Sequence, residues 1–244
     1  MYKKLLLSVL ASGVLMSGLA MAEDSATDTK ELGEKLKPLF GDLPDAINKT
    51  PVEGIYEAVF GMELIYVSKD GRYFFSGDMI DGSTRTNLSE TSRTTARKTE
   101  MAAVDPAKTV SFKAKGDEKH VLSVFTDVTC PFCTKLHKEV EKLNEQGVTV
   151  QYLAYPRAGI GSGSYKQMVS IWCAEDQQDA MTRSKDGEKL EAKDCENPVA
   201  NHFALGQKVG VTGTPALVTQ AGTLIPGFRP ADQLVKMLES SAVN

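Results

Sequence analysis

Two cysteines, Cys130 and Cys133, stand one helical turn apart in the stretch Asp127-Val128-Thr129-Cys130-Pro131-Phe132-Cys133. Upstream, Val121 to Thr126 is apolar and β-branched enough for a buried strand, and downstream Phe132, Leu136, Val140 and Leu143 fall on one helical stripe. This junction constrains the fold more than any other feature, because it fixes a reactive side chain at the first turn of a helix that must pack on a sheet. There the unpaired backbone N–H groups and the positive end of the helix dipole favour a thiolate over a thiol. Pro131 is tolerated because a first-turn N–H has no helical partner. Cys130 is therefore the expected nucleophile and Cys133 the resolving thiol.

The compartment follows from the other end of the chain. Lys3-Lys4 supplies a positive start, Leu5 to about Leu19 an apolar run, and Ala20-Met21-Ala22 a small-residue cleavage site, so residues 1–22 read as an export leader and the mature chain as beginning at Glu23. The apolar run falls short of the roughly 20 residues a membrane-spanning helix needs. No cysteine precedes Cys130 to carry a lipid anchor. Loss of Lys3 and Lys4 takes the formal charge from −4 to −6, which gives no support to nucleic-acid binding or to an anionic membrane surface. Export puts the four cysteines in an oxidising environment, where three pairings are formally open. Spacing chooses among them: Cys130 and Cys133 form the redox-active pair, and Cys173 with Cys195 a structural, loop-closing bridge.

The expected fold is α+β in two parts. After a polar lead-in, a short helix over residues 30–36 ends near Pro38, and strands follow over 54–60, 64–68 and 72–76, the last two joined at Lys69-Asp70-Gly71. About sixty residues bury little surface alone, so this part is expected either to self-associate or to dock on the rest of the chain. Residues 84–103 are nearly devoid of large apolar side chains. Their second half favours a solvent-exposed connecting helix. Beyond Val110 the order is strand 121–126, helix 130–146 stopped by Gly147, strand 148–154, a helical insertion over 159–198, a helix over 199–209, a strand pair and a last helix. A βαβ start closed by a hairpin and helix is the thioredoxin arrangement. Pattern alone leaves Pro215 as a turn or strand-edge proline in trans. Within a thioredoxin arrangement Thr214-Pro215 matches the proline held cis beside the dithiol, with the Thr214 backbone presented to an extended substrate.

These motifs resemble the DsbC/DsbG family of bacterial periplasmic thiol:disulfide interchange proteins, of the thioredoxin superfamily. The residues that carry the resemblance are Phe125-Thr126-Asp127-Val128-Thr129-Cys130, Lys135-Leu136-His137, Tyr152 to Arg157, Ile171-Trp172-Cys173-Ala174 and Gly213-Thr214-Pro215-Ala216, with Lys69-Asp70-Gly71 and Gly77 to Gly82 in the first part. The resemblance implies a leader (1–22), an amino-terminal dimerisation domain (23–84), a linker helix (85–105) and a thioredoxin-like catalytic domain with a helical insertion (106–244). It also implies a V-shaped homodimer acting on misoxidised or unfolded periplasmic proteins, and a membrane thiol reductase of the DsbD type that keeps the dithiol reduced. The isomerase branch encloses Gly-Tyr between its cysteines, whereas Pro131-Phe132 stands nearer the Pro-Tyr of the DsbG branch; Thr214-Pro215 follows the isomerase pattern.

The expected chemistry is attack of the Cys130 thiolate on a substrate disulfide, followed by displacement by a substrate thiol (isomerisation) or by Cys133 (reduction), with no metal or organic cofactor. Haem attachment would need His directly after Cys133, where Thr134 stands. Zinc would need more ligands than Cys130, Cys133 and His137 provide. His137, His120 and His202 are read as ordinary, solvated histidines. No nucleophile–His–carboxylate set or phosphate-binding loop is present. A dimeric chaperone with an incidental dithiol, a DsbG-like reductase of single cysteines, and a net oxidant are the competing readings.

Overall fold

The computed structural model describes residues 20–241, with side chains from Thr29 to Ser240. The expected leader, residues 1–22, lies almost wholly outside the described residues. Two compact units follow one another, Met1–Gly77 and Asp78–Asn244.

In the first unit a helix, α1 (Ala20–Phe40), precedes four antiparallel strands in meander order, β1 (Ala46–Lys49), β2 (Ile55–Phe60), β3 (Glu63–Ser68) and β4 (Phe74–Ser76). Leu32 and Leu36, four residues apart on one helix face, pack against Tyr56, Ala58 and Val67 of the sheet. The helix is longer than the expected 30–36 and runs through Pro38. A proline in the last turn removes a single backbone pairing, and the helix closes two residues later as Gly41 N–H bonds Lys37 O at 2.9 Å. β1 has no strong strand signal; it forms because β2 offers it an edge, with Ala46 to Lys49 in register against Val59 to Tyr56.

The second unit opens with a ribbon of β5 (Ile80–Asp81) and β6 (Thr86–Asn87), and Asn87 caps the next helix, α2 (Leu88–Met101), accepting Glu90 N–H at 2.9 Å. This is the stretch expected to be solvated all round, and it is not. Arg97 is 2% exposed, its Nε donating to Val209 O (2.9 Å) and its Nη1 to Gly222 O (2.9 Å) and Glu90 (3.2 Å). A guanidinium can pack like an apolar side chain when carbonyls satisfy its donors, and a count of apolar residues does not register that.

A 3-10 turn (Pro106–Lys108) leads to β7 (Val110–Phe112), β8 (His120–Thr126), α3 (Pro131–His137), α4 (Val140–Glu145), β9 (Val148–Ala154), α5 (Gly163–Trp172), α6 (Gln177–Lys185), α7 (Val199–Lys208), β10 (Ala216–Thr219), β11 (Leu224–Pro226) and α8 (Ala231–Ser241). The sheet order is β11-β10-β8-β9-β7, with β8 and β9 parallel and every other neighbour antiparallel. Leu122, Val124, Val150 and Tyr152 are fully buried on these two central strands. The helix expected over 130–146 is two helices. At the break Glu139 N–H bonds Leu136 O (3.0 Å), and the Glu139 carboxylate accepts Ala231 N–H (3.0 Å) at the start of α8. Phe132 leaves the expected stripe: Leu136, Val140 and Leu143 are buried but Phe132 is 54% exposed, beside the dithiol. Gly147, at φ 85°, ends α4 where the chain must turn into β9.

Candidate active site

β8 delivers the dithiol. Cys130 is the N-cap of α3 in extended conformation with Pro131 at the first helical position, and both cysteines are buried thiols. The loop before it is held by Asp127, itself 1% exposed. Its Oδ1 accepts the Thr129 N–H and hydroxyl (both 2.8 Å), and its Oδ2 the Arg157 N–H (2.9 Å) and Nε (3.1 Å). Burial works against the Asp127 charge, but these four donors outweigh it and hold the carboxyl below its ordinary pKa. Asp127 and Arg157 sit just past the carboxyl ends of the adjacent parallel strands β8 and β9, where an α/β sheet gathers its functional groups.

The Thr214-Pro215 peptide is cis, and the Cys130 thiol donates to Thr214 O at 3.2 Å. That carbonyl, expected to await a substrate chain, is occupied by the thiol in this state. The Thr214 hydroxyl is buried with no hydrogen-bond partner among the described residues, a donor left for a thiolate.

The two thiols are pushed in opposite directions. Burial would raise Cys130, but the Thr214 side chain and the Cys133 and Phe132 N–H groups outweigh it, so its pKa lies below the ordinary thiol value. Burial raises Cys133, and the positive charge of Lys185, the Asp127 backbone and the Thr126 side chain only partly offset that. One sulfur is thus disposed to attack while the other keeps its proton.

His137 is not the solvated histidine expected. Its Nδ1 pairs with the Tyr152 hydroxyl (3.0 Å) and its Nε2 with Thr182 Oγ1 (3.1 Å), and burial, helped by the Lys185 charge, lowers its pKa to about 4. His202 is buried as well, its Nδ1 accepting Ala154 N–H at 3.4 Å, with its pKa lowered to about 4 by burial and by Lys108. Periodicity had no means of placing these rings, since each lies against residues distant in sequence. Because both would protonate earlier in the unfolded chain, folding stability is lost as pH falls from about 6.5 toward 4, by a few kcal/mol in all at the acid end. An NMR titration should find the His137 and His202 ring resonances unmoved between pH 8 and pH 5.5. Among the described residues no group of three or more His, Cys, Asp or Glu is placed to hold a metal ion.

Cys173 and Cys195 form a disulfide that ties the end of α5 to the irregular stretch before α7. Closing a loop of 22 residues contributes roughly 3 kcal/mol on the chain-entropy account. Sequence reasoning named the cysteines, Thr214 and Pro215, but missed Asp127, Arg157 and Lys185 as parts of the site. Asp127 and Arg157 were findable from their positions at paired strand ends; Lys185 carries no local signal.

A dithiol at a helix N-terminus, next to a cis-proline loop on a thioredoxin sheet, defines a thiol:disulfide oxidoreductase. Residues 20–90 match the disulfide bond isomerase protein N-terminal domain, and residues 110–242 the thioredoxin-like domain. The thiol:disulfide interchange protein DsbC of Escherichia coli (strain K12) is 34% identical over 223 residues, covering 91% of this chain and 90% of that protein. DsbC of Haemophilus influenzae is 36% identical over 229 residues, covering 91% and 93%. A crystal structure of a disulfide interchange protein from Neisseria gonorrhoeae superposes with a TM-score of 0.50 at 32% identity, over 56% of this chain and 97% of that one. The chain belongs to the DsbC family of thiol:disulfide interchange proteins.

Proposed function

We propose that this chain is a periplasmic disulfide isomerase and reductase. The observation that carries the reading is the opposed treatment of the two thiols: Cys130 is favoured as thiolate beside Thr214, and Cys133 is buried and kept protonated. The Cys130 thiolate attacks one sulfur of a wrongly paired substrate disulfide, forming a mixed disulfide and releasing the other sulfur as thiolate. A second substrate thiolate then displaces Cys130, which completes an isomerisation. If none arrives, Cys133 displaces the substrate and the dithiol leaves oxidised, to be restored by a membrane thiol reductase of the DsbD type. Keeping Cys133 as the thiol lengthens the life of the mixed disulfide, the interval in which rearrangement takes place.

Residues 1–22 direct export and are removed after Ala22, residues 23–84 dimerise, 85–105 form the linker and 106–244 carry the catalysis. Dimerisation through the first part is supported by its open strand β4, whose Phe74 and Phe75 are 40% and 52% exposed beside Tyr73 at 57%. Thr214 and Pro215 bind the substrate backbone, and the exposed Phe132 offers it an apolar contact. No helix among the described residues is long and apolar enough to cross a membrane.

The redox state of the Cys130–Cys133 pair in cells, read by alkylation and a gel shift, tests this. A mainly reduced pair is expected. A mainly oxidised pair would make the protein a net oxidant and overturn the proposal. The second reading, a DsbG-like reductase of single oxidised cysteines or a chaperone with a secondary redox role, draws on Pro131-Phe132 and predicts a reduced pair with little refolding of scrambled substrates.

A further inference from the structure

Lys185, the last residue of α6, is 3% exposed. Its Nζ donates to Thr126 Oγ1 (2.7 Å) and to Asp127 O (2.9 Å), and among the described residues it forms no ion pair. A buried ammonium without a carboxylate is costly, so the position calls for a reason. The two residues it holds are the last of β8 and the first of the dithiol loop. Thr126 is fully buried, and its side chain, which accepts from Nζ, also acts to lower the Cys133 thiol. A hydroxyl both accepts and donates, so Thr126 can join the two groups in a short chain.

We propose that Lys185 is a positioning residue for the resolving step, holding the proton that leaves Cys133 when it attacks the mixed disulfide. The proposal rests on the reading of Cys130 as attacking and Cys133 as resolving thiol. The step draws on the neutral form of Lys185, the minor one at pH 7 with a pKa of about 8, which accepts from Thr126 and donates to Asp127 O while Cys133 is a thiol. The Cys133 proton passes to Thr126 Oγ1 while the Thr126 proton passes to Nζ. The Cys133 thiolate attacks Cys130 Sγ; the Cys130–substrate S–S bond breaks, the Cys130–Cys133 bond forms, and the electron pair leaves on the substrate sulfur, which is protonated by water. Lys185 is left as a buried ammonium facing a neutral disulfide, and it returns its proton to solvent.

The surroundings permit this. Burial lowers Lys185 to about 8, partly offset by the charges of Cys133, Asp127 and Cys130, with Arg157 acting in the same sense as burial. Asp127 is committed to Thr129 and Arg157. His137 on α3 is held neutral, Tyr152 on β9 is a phenol pushed far above its ordinary pKa by burial, and Asp186, next in the chain to Lys185, acts on His137. Neither His137 nor Tyr152 competes for the proton.

Stopped-flow reaction of the reduced protein with the aromatic disulfide of thionitrobenzoate separates the two steps. Attack by Cys130 releases the first thionitrobenzoate at a rate proportional to reagent. Resolution by Cys133 releases the second at a rate independent of it. In Lys185→Met the second phase should slow at least tenfold at pH 7 and lose its inflection near the Lys185 pKa of about 8, while the first phase, which loses only the Lys185 charge felt by Cys130, slows by a smaller factor and keeps its pH profile through 8. Thr126→Val should give the same result with Lys185 still in place, and Thr126→Ser, which keeps the hydroxyl, should behave as the parent. A second phase of unchanged rate and pH profile in the Thr126→Val protein, or in a folded Lys185→Met protein, overturns the proposal. A parent protein that releases only one thionitrobenzoate would instead reject Cys133 as the resolving thiol.

Discussion

Replacing Cys130 with Ala is expected to bring refolding of a scrambled disulfide substrate down to the uncatalysed rate. The other sulfur of the pair, Cys133, has its pKa raised by burial, so it stays a thiol and does not take over the attack. Cys133→Ala should do the reverse. Attack by Cys130 persists, mixed disulfides accumulate, and only rearrangements completed by a substrate thiol continue. Non-reducing gels of the two variants after incubation with substrate distinguish them: adducts with Cys133→Ala, none with Cys130→Ala. Aggregation suppression measured on the same Cys130→Ala protein separates the chaperone reading, which predicts no change. Full refolding activity in Cys130→Ala would remove the thiol-exchange mechanism.

Arg97→Met is expected to be the most damaging change outside the dithiol, lowering stability of the second unit by about 2–5 kcal/mol in urea denaturation. Methionine has similar length but strands two buried carbonyls, Val209 O and Gly222 O, which now accept from the guanidinium at 2.9 Å. Glu90 is spared because Arg93 also reaches it, at 3.6 Å. Gly222→Ala should fail for a related reason. At φ 90° the turn disfavours a side chain, and a Cβ there would overlap the Thr94 carbonyl and lie 2.8 Å from Lys98 N, so α2 would be forced off the hairpin between β10 and β11. Thr99→Ala, at an exposed position of the same helix, should change stability by less than about 0.5 kcal/mol. If Arg97→Met proved as mild as Thr99→Ala, the buried contacts of α2 would contribute little to the fold.

What was legible in the chain was whatever is local. The strand before Cys130, the turn at Lys69-Asp70-Gly71, the stop at Gly147 and the pairing of Cys173 with Cys195 all depend on residues close in sequence, or on a count of four cysteines. Misreadings came where local pattern and distant partner disagree. Arg97 looked solvated because its two carbonyl partners lie more than a hundred residues away. Phe132 shared the period of Leu136 and Val140, yet in the first turn of α3 it is left exposed while they are buried. His137 was read as a surface ring, but Tyr152 and Thr182 close over it from β9 and α6. At the break between α3 and α4 the Glu139 carboxylate accepts from Ala231 N–H at the start of α8, a contact that no helical propensity encodes.

By itself the sequence determined the reactive group and the scaffold type. A C-x-x-C between a buried strand and an amphipathic helix permits few folds, and helical spacing alone brings the two sulfurs within reach of each other. Position at the helix start already marked Cys130 as the attacking sulfur and Cys133 as the resolving one; only the tertiary structure decided what lowers the first thiol and raises the second. That difference arises from desolvation and from groups drawn from four separate stretches: the Thr214 loop before β10, Thr126 and Asp127 at the end of β8, Arg157 after β9 and Lys185 at the end of α6. Electric fields and burial act through space, so they become defined only once the strands have set those residues side by side.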